Sequence, residues 1–450
     1  MPDHVPADHI RSNFSAAMSA MYRTEVPAYS DLLSIVRDTN GQVLSTNRAT
    51  ELRIDPSEDL NRISDERHGA IRVGTAAELS MIRRIFAVMG MYPVGYYDLG
   101  VAGIPVHSTA FRPVDRDALA QNPFRVFTSL LRLDLIEDDD LRQTAQATLA
   151  GRSIFTERAV ALTEKAEMHG GLGAVDATAF VSEVLETFRW AENAIVTKET
   201  YQTLHDTHRL IADVVGFQGP HINHLTPRTL DIDAAQQGMI DRGLPAKAVV
   251  EGPPKRNCPI LLRQTSFKAL EEKVRFVGAE TDGAHTARFG EIEERGVALT
   301  EKGRALYDRL LSEVRAKVLP NPDGSNAQTY QQALIDGFGG FPDDWRSLHD
   351  QGLGYFRYRR VGPVADGDLH SLLDAGAIEI SPIIYEDFLP VSAAGIFQSN
   401  LGDEVGSTGP SHSSRAQFIE ALGAEPADEF ALYQAIQDAS LAQALGKDAA

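Results

Sequence analysis

Apolar residues recur at helical spacing from about Ala7 to Thr39, with Phe14, Met18, Met21, Tyr22, Leu32, Leu33 and Val36 on one stripe. That period predicts a helix. A polar stretch follows to Asp65. His68–Val73 then alternates and ends at Gly74, and Thr75-Ala76-Ala77-Glu78 forms a capping box. In such a box a hydroxyl and a carboxylate satisfy the first amides of a helix. The expected helix carries Leu79, Ile82, Ile85, Phe86 and Met89. Pro93–Leu99, Ile104–Pro113 and Phe124–Leu135 read as strands between Gly and Pro punctuation. The first unit is therefore strand, helix, strand, strand, strand.

From about Asp138 to Val215 the pattern is helical and poor in breakers, which predicts an insertion. A second unit opens at Gly216-Phe217, with His221–Leu230 extended across Pro220 and Pro227 and a helix over Asp233–Arg242. Strands are expected at Ala246–Val250, Pro259–Phe267 and Ala287–Arg295. The element order of the first unit thus recurs as a repeat of architecture, without residue-by-residue identity. Thr300–Val318 is helical, Pro320–Gly324 is a break, and a mixed region follows with strand-like Tyr355–Val361 and Ile378–Ile384. The tail after Gly402 is Gly/Ser-rich, then helical and acidic. The expected class is α+β. Its parts are a helical segment (1–65), a first module (66–137), a helical insertion (138–215), a second module (216–298), and a helix plus mixed C-terminal region (299–450) completing the pocket.

Composition narrows the function. The chain has 450 residues, 43% hydrophobic and 24% charged, as in an ordinary globular protein. It has no apolar run of about 18 residues, so no membrane span is expected, and no secretory signal is visible. Cys258 is the 1 cysteine present, which excludes an internal disulfide and fits a reducing, cytoplasmic setting. Formal charge is 43 − 63 = −20, against nucleic acid as a partner. An anionic substrate therefore needs a local arginine, because the overall field repels it.

Three separated segments carry metal-type ligands: Arg67–Arg72, Gly219–Thr226 and Phe289–Arg295. Two histidines and one carboxylate form the facial set that holds non-haem Fe(II) and leaves positions open for substrate and dioxygen. In a strand, His68, Ala70 and Arg72 share a face. The bland alternative is a partly buried histidine and a surface arginine on an edge strand. His221 and His224 are three apart, so a strand sends them to opposite faces and one of them is expected to bind metal, the other ordering its neighbour. Glu291 and Glu293 have equal parity, and period alone does not choose between them. Glu294 and Arg295 are expected as a solvated charged edge. His205 and His208 lie three apart on a helix, a metal-capable spacing that solvated helix histidines also show. Dinucleotide, P-loop and nucleophile-elbow motifs are absent, and Cys258 beside Pro259 has no evident activating partner.

Taken together, Glu66–Thr75, Gly95–Leu99, Pro105–Arg112, Gly219–Arg228, Leu262–Leu270 and Arg288–Glu293 resemble the 2-oxoadipate dioxygenase/decarboxylase family. That family is also described as 2-hydroxyglutarate synthase of bacterial lysine catabolism, and the resemblance covers most of residues 10–400. It implies a core of two strand-helix-strands modules of the vicinal oxygen chelate kind sharing one β core. It also implies Fe(II) held by His68, His224 and Glu291, a substrate carboxylate on Arg72, and a pocket segment at Val391-Ser392. Glu291–Arg295 is similar, besides, to the E-x-x-Q-R strand that carries the metal glutamate in aromatic 2-oxoacid dioxygenases, with Glu294 at the glutamine position. The implied reaction turns 2-oxoadipate and O2 into 2-hydroxyglutarate and CO2. Rival expectations are a glyoxalase-like metal-dependent lyase or isomerase using no dioxygen, and a non-catalytic metal- or ligand-binding protein.

Overall fold

The first repeat supplies β1 (Arg67–Val73), β2 (Tyr92–Asp98), β3 (Val106–Arg112) and β4 (Arg125–Leu131). The second supplies β5 (Leu225–Thr229), β6 (Leu262–Ser266), β7 (Glu271–Val274), β8 (Gly283–Thr286) and β9 (Glu291–Arg295). In this computed structural model, which describes residues 4–54, 60–268, 271–286, 288–321, 323–362, 368–389 and 414–446, seven of these strands form one curled sheet. Its order is β2-β3-β4-β1-β5-β9-β6.

The two halves have matching ladders. β1 pairs parallel with β4, which pairs antiparallel with β3. β5 likewise pairs parallel with β9, which pairs antiparallel with β6. Bridges from Ala246 to Phe267 and from Glu251 to Gln264 lay residues 246–251 along β6, where β2 lies along β3 in the first half. β1 and β5 join the halves antiparallel, with His68 opposite Thr226. β1 is thus a central strand flanked on both sides, and every residue of it is buried. Backbone pairing on both edges leaves β1 little freedom to shift, which suits a strand carrying functional side chains.

The capping box forms as its residues dictate: Thr75 accepts from the Glu78 amide, and the Glu78 carboxylate accepts back from Thr75. The long N-terminal helix divides into Ala7–Glu25 and Ala28–Leu44. Pro27 lies at the break, because its ring cannot continue a helix from Val26. Helices Asp139–Ala150, Glu157–His169, Ala174–Glu186, Lys198–Thr207 and Arg209–Val215 fill the stretch between the repeats. The hairpin β7–β8 stands outside the main sheet; its strands are short and mostly polar, so alternation did not reveal them. Phe14, Phe86, Phe124, Phe180 and Phe188 anchor the main core. A second core gathers Tyr307, Phe338, Trp345 and Phe356 under the C-terminal hairpin β10 (Phe356–Arg360) and β11 (Ile378–Pro382). Among the described residues no helix is long and apolar enough to cross a membrane.

Glu294 and Arg295 are buried rather than solvated. Glu294 faces helix Ile232–Asp241, accepting from the Ile232 amide at 2.8 Å, and lies 3.5 Å from Arg263. Arg295 closes on Glu293 through two hydrogen bonds of 2.8 Å. A charged run in a strand indicates solvent only when no counter-charges lie within reach; here β6 supplies Arg263 to Glu294, and Glu293 of the same strand meets Arg295.

Candidate active site

Strand register builds the site. His68 stands opposite Thr226 across the joint between the halves. His224, two residues before Thr226, keeps the same parity, whereas His221 has the opposite one. On the other side of β5, Glu293 pairs with Arg228, and Ser266 of β6 pairs with Glu291. Ligand-bearing positions from both repeats therefore meet on one face. Gly69 makes the approach possible: a Cβ there would lie 2.5 Å from Ile222 Cδ1 and 3.3 Å from the His224 carbonyl oxygen. Tyr22, from the first helix, shares its hydroxyl proton between the carbonyls of Asn223 (3.0 Å) and Phe289 (2.8 Å). It thereby ties together the segments leading to His224 and Glu291.

His68, His224 and Glu291 are all fully buried, and one ligand atom from each lies within 4.8 Å of the others. His68 Nε2 is 3.1 Å from Glu291 Oε1 and His224 Nε2 is 3.7 Å from it. Thr226 and Gln264 donate to that same oxygen at 2.9 and 3.0 Å. Glu291 Oε2 and both ring nitrogens of His224 accept or donate no hydrogen bond. A buried polar atom without a partner costs about 1–3 kcal/mol, and three on converging side chains make this group a candidate cation site. Two imidazoles and a carboxylate are also a donor set suited to Fe(II).

Glu293 acts behind this group. Its Oε2 is 2.9 Å from His68 Nδ1, the far side of the ring from Glu291. Arg295 grips Glu293 by both oxygens and Arg125 adds a contact at 3.3 Å. Arg125 in turn reaches Glu66 at 2.8 Å and Glu386. The equal parity of the two glutamates is thus used fully: one faces each nitrogen of His68. Such an outer carboxylate fixes the tautomer and orientation of a metal-ligating histidine.

Electrostatics follow from this packing. Burial disfavours a charged His68, but Glu293 and Glu291 outweigh it and raise its pKa above 6.5. Burial dominates at His224, lowering its pKa to about 4, so the ring is neutral and ready to bind a cation. Glu293, despite burial, is drawn down to about 2, chiefly by Arg295 and His68. Phe388 packs edge-on to His68 and Phe289 is tilted against His224, with centroids 5.0 and 4.9 Å away.

A cavity of about 680 Å³ adjoins the group, and its wall includes Ser266, Phe289, Arg72, Arg209, Lys247 and Asp213. Four cationic side chains, Arg72, Arg209, Lys247 and Lys268, line it against three acidic ones, Asp213, Glu271 and Asp323, a small positive excess in an acidic protein. Arg72 lies on β1 four residues from His68, buried, with its Nη1 2.6 Å from Asp213 Oδ2. His221 goes elsewhere, to Asp213 and His285. His205 is exposed on its helix, and His208 caps the next one by accepting from the Leu210 amide. Val391 and Ser392 fall outside the described residues. Missed in the sequence were Tyr22, Asp213 and His285, single residues in three distant elements with no shared period; Thr226 and Gln264 had a signal in their parity with the ligand positions.

Comparison with known proteins gives the family. The sequence model for 2-oxoadipate dioxygenase/decarboxylase matches residues 14–400. The chain belongs to that family. It is 55% identical to the 2-oxoadipate dioxygenase/decarboxylase of Pseudomonas putida, over 98% of each chain. Identity to the protein of the same name from Mycobacterium tuberculosis is 40%, covering 95% of this chain and 96% of that one. The crystal structure of the Pseudomonas putida hydroxyglutarate synthase in complex with 2-oxoadipate superposes with a TM-score of 0.92 at 55% identity. That match covers 99% of this chain and 100% of the other. The fold is accordingly that of the vicinal oxygen chelate superfamily, elaborated by helices.

Proposed function

We propose that His68, His224 and Glu291 hold the Fe(II) of a 2-oxoadipate dioxygenase/decarboxylase, and that Arg72 binds the carboxylate of its substrate remote from the reacting end. The enzyme is an oxidoreductase that converts 2-oxoadipate and O2 into 2-hydroxyglutarate and CO2. The observation that carries the ligand assignment is the convergence of three buried side chains that leave Glu291 Oε2 and both ring nitrogens of His224 without a hydrogen-bond partner. When bound, Fe(II) supplies the redox chemistry that couples loss of CO2 from the 2-oxo acid to reduction of O2.

The chain's own residues do the rest. Glu293 orients His68, Gln264 and Thr226 hold the Glu291 carboxylate in place, and Phe388 and Phe289 keep water from the ligands. Arg72 offers a planar fork to a carboxylate, which fixes which carbon faces the reacting end. We further assign 66–137 and 216–298 as the two units that share the site, and place the enzyme in the cytoplasm. The Cys258 thiol, pushed up by burial to about 12, is compatible with that reducing setting.

The test is metal analysis of anaerobically purified protein, followed by an oxygen-electrode assay with 2-oxoadipate under labelled dioxygen. Stoichiometric iron, oxygen uptake and label in the 2-hydroxyglutarate are expected. Turnover without oxygen uptake or label would return the glyoxalase-like lyase or isomerase.

A further inference from the structure

A second buried group, Asp213, His221 and His285, also brings two histidines and a carboxylate within 4.8 Å. Its carboxylate is saturated. Oδ2 accepts from Arg72 at 2.6 Å, and Oδ1 lies 2.9 Å from His285 Nε2 and 3.2 Å from His221 Nε2. The far nitrogen of His285 meets the Tyr201 hydroxyl at 2.6 Å. With Tyr201 donating, His285 carries its proton on Nε2 and donates to Asp213. Trp190 lies parallel to His285, at 12° between ring planes, and edge-on to His221. The Asp213 charge is already met by a guanidinium, so no further cation is required.

We infer that Asp213 is a positioning residue for substrate recognition: held by His285 and His221, it fixes the Arg72 guanidinium on the cavity wall beside the iron ligands. This rests on the assignment of Arg72 to the substrate's remote carboxylate. Arg72 and Asp213 are each 7% exposed by side chain, and an arginine on a long stem otherwise has many rotamers to choose from. Asp213 comes from helix Arg209–Val215 and Tyr201 from helix Lys198–Thr207, both in the segment between the repeats. His285 comes from β8, in the hairpin outside the main sheet. These additions to the repeated core therefore acquire a role in selecting a dicarboxylic substrate.

The experiment is calorimetric titration of anaerobic Fe(II)-loaded enzyme with 2-oxoadipate and with 2-oxohexanoate, which has the same chain length but no second carboxylate. Asp213→Asn is expected to weaken 2-oxoadipate binding about tenfold or more and 2-oxohexanoate binding less than about twofold, with iron content retained. Tyr201→Phe, which touches Asp213 only through His285, is expected to move the same ratio in the same direction by about twofold to threefold. It carries the test if Asp213→Asn does not fold. Equal weakening of both ligands, no weakening, or loss of iron in the variants would overturn the role of Asp213. Arg72→Gln is the reference. If that variant fails to separate the two ligands, the assignment of Arg72 fails, and that outcome is distinct from a failure of Asp213 alone.

Discussion

Two groups of two histidines and one carboxylate lie near one another in this protein, one built on Glu291 and the other on Asp213. In the Asp213 group each carboxylate oxygen already has a donor, one of them a guanidinium. In the Glu291 group one carboxylate oxygen and both nitrogens of His224 have none. Both ring nitrogens of His221 also make no hydrogen bond, so the two groups differ at their carboxylates: that of Asp213 is satisfied at both oxygens, that of Glu291 at one. A third acidic group, Asp231, Asp233 and Glu294, falls on the saturated side, since Arg263 and Lys255 meet its charges. Residue types within reach of one another do not make a metal site; what the remaining atoms bond to decides it.

The largest effect that could break this comparison comes from the ligands. Alanine at His68, His224 or Glu291 is expected to remove iron and abolish oxygen uptake while the far-ultraviolet circular dichroism stays native. Asp213→Asn should retain iron. Iron lost from Asp213→Asn and kept by Glu291→Ala, read by elemental analysis, would invert the roles of the two groups.

Glu293→Gln should come next. It leaves the three ligands but weakens the partner that orients His68, and loss of such an outer carboxylate costs about 10–100-fold in metal affinity. Chelator competition measures this. If Glu293→Ala removed the metal and Glu291→Ala did not, the ligand assignment on β9 would be displaced by two residues. Arg72→Lys keeps the charge but loses the planar fork, and should raise KM for 2-oxoadipate about tenfold with iron unchanged. Unchanged kinetics would place Arg72 outside substrate recognition.

The pH response sharpens the contrast further. Because the His68 pKa is raised above 6.5, its contribution to the stability of the iron-free protein is present below that value and lost as pH rises through the folded pKa. Iron needs the neutral ring, so iron affinity should fall as pH is lowered through the same range, while His224, near 4, stays neutral. Thermal melts and chelator competition between about pH 6 and 8 should therefore trend in opposite directions for this group. The smallest effect is expected from Tyr22→Phe. It loses the hydroxyl shared by two carbonyls and should cost about 1 kcal/mol in a denaturant titration, with a modest drop in iron retention.

Much of this was legible in the chain. The repeat of strand, helix and strands follows from alternation, a capping box and Gly/Pro punctuation, all of which act within a few residues. Parity on β1 placed His68 and Arg72 on one face, and parity around Pro220–Pro227 separated His221 from His224. Less legible were the break at Pro27, which falls inside a continuous apolar period, and the hairpin β7–β8, whose short strands each bury a single residue, Val274 and His285. The charged run Glu293-Glu294-Arg295 misled, because its partners Arg125, Arg263 and helix Ile232–Asp241 lie far away in sequence.

By itself, then, the sequence determined the elements, their faces and the family to which these motifs belong, since periodicity and short motifs are local. Only the tertiary structure decided which glutamate meets which nitrogen of His68, and which of the two carboxylates is met by an arginine and which keeps an oxygen without a donor. Those outcomes depend on the antiparallel joint between β1 and β5 and on helices inserted between the repeats. Hydrogen-bond satisfaction is a property of all the neighbours at once, and no spacing along the chain encodes it.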